Sequence, residues 1–223
     1  MRRAIAALAL SIAASSATAG EIPRAVVVLE SATAPRFGEI AEAAPPRFVL
    51  LEDGQVFVGG THGLVTARLA GRDLKDLDRR LSDVRKLPAL AGVVTVGPGT
   101  AVRHLLLAKG HPLDMRIEGD LASAPPALRP LADLVLDLER FHHPGLRPYA
   151  PVQLALRARE GSLPGGCRPW TRPEPLAGSV FAPQAVTAAD FASWPTGAAP
   201  ASVCAGDKQY VVTLRPLLPG EKP

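Results

Sequence analysis

Residues 47–60, RFVLLEDGQVFVGG, constrain the fold more than any other stretch of this 223-residue chain. Two apolar runs, residues 48–51 and 56–58, flank Glu52, Asp53, Gly54 and Gln55. An Asp-Gly pair between β-forming runs is a strong short-range hairpin signal. With Asp53 and Gly54 as a two-residue loop, Leu51 faces Val56, Leu50 faces Phe57 and Val49 faces Val58. Successive strand side chains point to opposite faces, so this hairpin is apolar on both. It is therefore expected at the centre of a sheet, covered from two sides. Asp53 raises the question of a reacting group, but Asp tolerates and Gly prefers the φ > 0 that such a loop demands. Turn chemistry suffices.

The other segments fit around that pair. Residues 25–30 form a β-branched strand, and in residues 63–71 Val65, Ala67 and Leu69 alternate with Thr66 and Arg68. Asp73 is placed to cap a helix whose Leu74, Leu77, Leu81 and Val84 recur at helical spacing, with Pro88 as its stop. A short strand and the Gly97-Pro98-Gly99 turn precede a second hairpin. There Leu113, Met115 and Ile117 alternate with Asp114, Arg116 and Glu118. Leu131, Leu134, Val135 and Leu138 stripe a second helix that ends at His142-His143. Val152, Leu154, Leu156 and Ala158 then alternate along a strand, a long Pro- and Gly-rich loop follows, and Thr187 is placed to cap a short helix before Pro195. A closing strand sets Val211 and Thr213 against Tyr210, Val212 and Leu214. Hairpins and interspersed helices without a βαβ rhythm predict an α+β fold. It has a largely antiparallel sheet, two or three packing helices and long C-terminal loops.

The amino terminus sets the compartment. Arg2 and Arg3, an apolar run at residues 4–14 and an Ala17-Thr18-Ala19 cleavage signature read as a secretory leader cut between Ala19 and Gly20. The run is shorter than the roughly 20 residues a membrane helix needs. Residues 20–223 are then expected to form a single α+β domain, within which 152–223 could form a disulfide-pinned sub-lobe. No membrane span is expected after cleavage, and the protein is expected to be secreted or periplasmic. Without Arg2 and Arg3 the 25 basic residues fall to 23 against 21 acids, a net charge of about +2. Charges of both signs are interspersed, with aromatic residues at 4%. Nucleic acid is an unsuitable partner for such a surface.

Cys167 and Cys204 are the two cysteines of the chain, both in loop-like contexts. In an exported protein an isolated pair of this kind closes a disulfide, and a C-x-x-C redox spacing is absent. His142 and His143 are the most metal-like pair. Adjacent histidines cannot both face one ion from a regular helix, and a helix C-terminus attracts cationic histidine through its dipole. A carboxylate or third histidine beside either, inside a cleft, would favour acid–base or metal chemistry. His62 and His104 have no nucleophile elbow to serve, because the sequence around Ser179 lacks the second Gly. Asp73, Asp76 and Asp78 fall around a helical period without a calcium loop's Gly and distal Glu. Trp170 and Trp194, near Arg168, Arg172 and Pro195, suit either a sugar or peptide contact or the anchoring of long loops.

Taken in order, these segments resemble a group of exported bacterial proteins of unknown function. Its recurrent marks are a P-x-F-x-L-x-x-D-G-x-V hairpin, here Pro46, Phe48, Leu50, Asp53, Gly54 and Val56, and a closing R-P-L-L-P-x-E. The latter is Arg215, Pro216, Leu217, Leu218, Pro219 and Glu221. The resemblance implies an exported globular domain and transfers no catalytic residue, cofactor or metal. The function expected is non-enzymatic binding of a protein, an envelope component or a small molecule. The alternative is a hydrolase-like or metal-assisted enzyme using His142 and His143 with nearby carboxylates.

Overall fold

The computed structural model describes residues 23–32, 47–59, 63–88, 90, 92–110, 112–179, 182–194 and 197–223. The expected leader with its Ala19–Gly20 cleavage point, Pro46, His62 and Pro195 lie outside them. Strands β1 (Ala25–Ala32), β2 (Phe48–Leu51), β3 (Gln55–Val58) and β4 (Val65–Arg68) precede helix α1 (Gly71–Arg85). Strands β5 (Gly92–Thr95), β6 (Val102–Leu107) and β7 (Leu113–Glu118) lead to helix α2 (Arg129–Glu139). The remaining strands are β8 (Arg147–Pro148), β9 (Gln153–Glu160), β10 (Arg168–Pro169), β11 (Gln184–Thr187), β12 (Gly197–Ala205) and β13 (Lys208–Pro216). They form two sheets, ordered β5-β7-β6-β1-β2-β3-β4-β8 and β10-β12-β13-β9-β11. All pairings are antiparallel except β5 with β7 and β10 with β12. The fold is α+β.

The hairpin β2–β3 sits at the middle of the first sheet, and every residue of β2 is buried. Its register differs from the expected one. Phe48 pairs with Val58, Val49 with Phe57 and Leu50 with Val56. The loop has three residues, Glu52, Asp53 and Gly54, with the Gly54 N–H donating to Leu51 O at 3.0 Å and Gly54 at φ +82°. A turn followed by one left-handed glycine is the usual three-residue hairpin solution. One extra loop residue moves β3 by one position and so inverts its faces. Val56 and Val58 join Phe48 and Leu50, while Phe57 joins Val49 and Leu51.

Each face has its own cover. On the first, Phe48, Leu50, Val56 and Val58 pack with Leu77, Leu81 and Val84 of α1 and Leu131, Leu134, Val135 and Leu138 of α2. Burying each such large side chain contributes about 1.5–3 kcal/mol. On the second, Val49, Leu51 and Phe57 pack with Leu64, Leu218 and Tyr149. The Tyr149 ring meets Phe57 edge-on at 5.0 Å, and its hydroxyl donates to Leu217 O at 3.1 Å. The segment after β13 is therefore a strap across the sheet. Arg215 pairs with Glu221 at 2.7 Å, and Glu221 also accepts from the Leu218 N–H at 2.9 Å.

The helix termini follow other rules than expected. Helix α1 starts after Ala70, and Asp73 lies in its first turn without a side-chain capping bond. A negative charge there still complements the helix dipole. The α2 C-terminus is held by Arg47, whose Nε and Nη2 both donate to Glu139 O, the former at 2.7 Å. Arg47 Nη1 donates to Gly59 O at 2.6 Å. The Glu139 carboxylate takes Arg103 Nε at 2.5 Å and the Ser31 hydroxyl at 2.9 Å, in a pair only 14% and 19% exposed. Val152, expected to face inward, precedes β9 and is 77% exposed, while Leu154, Leu156 and Ala158 are buried as anticipated.

Two measurements probe this arrangement. A Cβ on Gly54 would stand 2.5 Å from Leu69 O, whereas one on Gly110, at a similar φ of +79°, meets open space. Denaturant unfolding should show Gly110→Ala costing about 1 kcal/mol, the backbone term alone. Gly54→Ala should cost at least about 2 kcal/mol, because the collision adds to it. The Tyr149 hydroxyl is raised above its ordinary pKa of 10.0, first by burial and then by the Glu221 charge. The unfolded chain therefore loses this proton first, and stability should fall as pH rises above 10. Ultraviolet titration should show a late-ionising tyrosine that disappears in Tyr149→Phe.

Candidate functional site

The second sheet builds a separate core from Leu154, Leu156, Ala158, Val203, Tyr210, Val212 and Leu214. Strand β10 has two residues, one of them a proline without an N–H to donate. It stays in place because the Cys167–Cys204 disulfide joins it to β12, with a Cα–Cα distance of 5.6 Å across 37 residues of sequence. The Trp170 N–H continues the pairing by donating to Cys204 O at 2.7 Å. Trp170 is thereby delivered onto the residues that follow β11.

There a 3₁₀ turn, Ala188–Phe191, buries Phe191 completely. Trp194 closes the next turn through its N–H to Phe191 O at 2.9 Å. Trp170 and Trp194 meet edge to face at 5.4 Å, and Phe191 lies 5.6 Å from Trp194 and 6.2 Å from Trp170. Each such contact contributes about 0.5–1.5 kcal/mol beyond its area. Both tryptophans remain half-buried. The Trp170 indole N–H is satisfied by Glu174 O at 2.9 Å.

Two guanidinium groups cover this cluster. The Arg168 carbon lies 3.8 Å above the Trp194 ring centroid and the Arg172 carbon 4.1 Å above that of Phe191. Arg172 Nη2 also donates to Asp190 O. Arg168 is exposed, and among the described residues its N–H groups meet no acceptor. The neighbouring acids do not neutralise the pair by contact. Glu174 turns one oxygen inward with no hydrogen-bond partner, and Asp190 offers Arg172 its backbone carbonyl. The tryptophans thus anchor the loop and also carry a cationic surface. The ring face of Trp194 that could stack on a sugar is occupied by Arg168.

The residues singled out for other chemistry are tied into local structure. His142 is exposed. His143 does not cap α2; its Nδ1 accepts the Gly145 N–H at 3.1 Å, and its Nε2 lies 3.4 Å from Asp73 Oδ2. This contact joins the loop after α2 to the first turn of α1. The His143 side chain is 20% exposed and that of Asp73 61%, so a largely covered imidazole meets a solvated carboxylate. Ser179 is buried and mimics a strand partner. Its hydroxyl accepts the Ala158 N–H at 2.8 Å and donates to Leu176 O at 2.9 Å. Asp53 pairs with Arg68 at 2.5 Å and accepts the Gln55 N–H at 3.0 Å. Asp76 faces Arg72 and Arg79, and Asp78 faces Lys109, as expected of a solvated helix. His104 lies exposed on β6, paired across to Glu30 and Arg116. The Gly97–Gly99 turn lies backbone-to-backbone on Gly119, where any Cβ would collide with Gly97 O. Asp120 beside it is held below the usual carboxylate range by hydrogen bonds from Ser123 and the Ala122 N–H.

Among the described residues no group of three or more His, Cys, Asp or Glu could hold a metal ion. No described helix is long and apolar enough to cross a membrane. Sequence reasoning found both tryptophans and both arginines but not Phe191, the ring that joins them. Its place three residues before Trp194, one helical turn away, was the available signal. Comparison of the chain with protein-family models, curated proteins and solved structures gives no match.

The disulfide makes this cluster testable. Titration of denatured, unreduced protein should find no free thiol; two would contradict the bond. Reduction should cost about 3–4 kcal/mol by loop-closure entropy. Under native conditions it should shift tryptophan emission to longer wavelength, as β10 leaves β12. Unchanged emission after complete reduction would show that the sheet alone holds Trp170.

Proposed function

We propose that the chain is an exported, non-enzymatic binding domain whose contact surface is the cluster of Trp170, Trp194, Arg168 and Arg172. The observation that carries this reading is the pair of guanidinium groups laid on aromatic rings at the protein surface. Aromatic and arginine side chains are enriched at the energetic centres of recognition surfaces, where they combine large contact area with directed hydrogen bonds. The disulfide and the leader-like amino terminus support export to an oxidising compartment. The partner class is a protein, an envelope component or a small molecule.

The second reading, a hydrolase-like or metal-assisted enzyme at His142 and His143, draws on the 3.4 Å contact of His143 with Asp73. It is weakened by the bond at Nδ1, which leaves the other nitrogen directed at that carboxylate. Ser179, with its hydroxyl bonded on both sides to backbone, is a poor nucleophile.

Retention of envelope components by immobilised mature protein tests the proposal. The expected result is capture that the Arg168→Glu/Arg172→Glu variant loses and a His143→Asn variant keeps. Capture lost only in His143→Asn, or zinc recovered with the purified wild-type protein and absent from that variant, would favour the second reading. Tryptophan emission of each variant checks that the cluster remains assembled.

A further inference from the structure

The arginines suggest what kind of ligand this surface takes. Arginine presents five N–H donors in a planar fork that matches the oxygens of a carboxylate or phosphate. In solution its flexible stem must be ordered before that fork can be used. Here the ordering is already done: Arg168 rests on Trp194 and Arg172 on Phe191. Arg172 uses one N–H on Asp190 O, and the Arg168 guanidinium donates to no described residue.

Local charge points the same way. Elsewhere among the described residues arginines pair with carboxylates, as do Arg68 with Asp53, Arg80 with Asp137, Arg103 with Glu139 and Arg215 with Glu221. Arg168 and Arg172 form no ion pair among the described residues, although Glu174 is two residues from Arg172 and the Asp190 backbone carbonyl touches it. Glu174 is turned inward, and Asp190 contributes its carbonyl to Arg172, which also fixes that side chain. Two guanidinium groups thus lie over neighbouring rings whose centroids are 5.6 Å apart.

We infer that the Arg168–Arg172 pair binds an oxyanion, a carboxylate or phosphate group of its ligand, by charge-assisted hydrogen bonds. This rests on the reading of the cluster as the contact surface and adds the ligand's chemistry to it. Trp194 lies directly beneath Arg168, so an anion that engages the guanidinium alters the indole environment. The site carries its own reporter.

The test is a titration of mature, disulfide-intact protein at low ionic strength, followed by tryptophan emission. The probes are citrate, inorganic phosphate and, as control, chloride at matched ionic strength. The expected result is a saturable change with citrate or phosphate beyond that of chloride, weakened at least tenfold in both Arg168→Gln and Arg172→Gln. Citrate acting alone identifies carboxylate, and phosphate acting alone identifies a phosphate group. A third arm uses vesicles containing phosphatidylglycerol, against neutral vesicles, to ask whether the phosphate belongs to a lipid. Vesicle binding lost in the two variants supports the inference with a lipid source. Vesicle binding unchanged by them, with no response to the free anions, overturns it. A response equal to chloride, or one that survives both substitutions, also overturns it. Should capture of envelope components still depend on Arg168 and Arg172 while every anion fails, the ligand chemistry falls and the contact surface stands. Intact near-ultraviolet circular dichroism in each variant separates lost binding from lost folding.

Discussion

A strand pair that is apolar on both faces cannot rest on water with either, and this requirement organises the molecule. Phe48, Leu50, Val56 and Val58 need one cover, and Val49, Leu51 and Phe57 need another. Helices α1 and α2 supply the first. The second comes from Leu218 after the last strand and from Tyr149 before β9, which close over Phe57. Apolar burial drives both contacts, but polar bonds fix their position. Arg47 and the Arg103–Glu139 pair hold the end of α2, and the Arg215–Glu221 pair holds the strap.

That division links the two sheets. The strap begins where β13 ends, so the strand that completes the second sheet also delivers the cover of the first. The Leu217 N–H donates to Gln153 O at 3.0 Å at the start of β9, and Tyr149 bonds the same strap from the segment before it. The second sheet is then free to do something else on its own surface. The disulfide lies at its β10 edge, and the aromatic cluster with the two arginines packs against its core.

The amount legible beforehand varied with the physics involved. Helical and strand periods are local, and the helix stripes at Leu77, Leu81 and Val84 and at Leu131, Leu134, Val135 and Leu138 emerge as read. Loop geometry was less accessible. Asp53-Gly54 announces a hairpin, yet two- and three-residue loops both accept that pair, and the close approach of Leu69 O to Gly54 is tertiary. The dipole argument for a histidine at the end of α2 is local and does not choose between His142 and His143. The actual partner of His143, Asp73, stands at the start of another helix, and Arg47 takes the cap from a distant strand. For the candidate site, both tryptophans and both arginines were visible by type. Their stacking required the disulfide and the turn at Phe191 to bring two loops together.

What the sequence determined by itself is what near neighbours dictate: the hairpin, the two amphipathic helices, the α+β class and the pairing of two cysteines. Tertiary structure alone decided the register of β3, the strap over Phe57 and the laying of Arg168 and Arg172 on aromatic rings. These depend on groups far apart in the chain, whose approach is set by what else must be buried. The R-P-L-L-P-x-E ending shows both halves of the point. Its composition marks the stop of a strand, and only the fold makes Arg215 and Glu221 partners and Leu218 a lid.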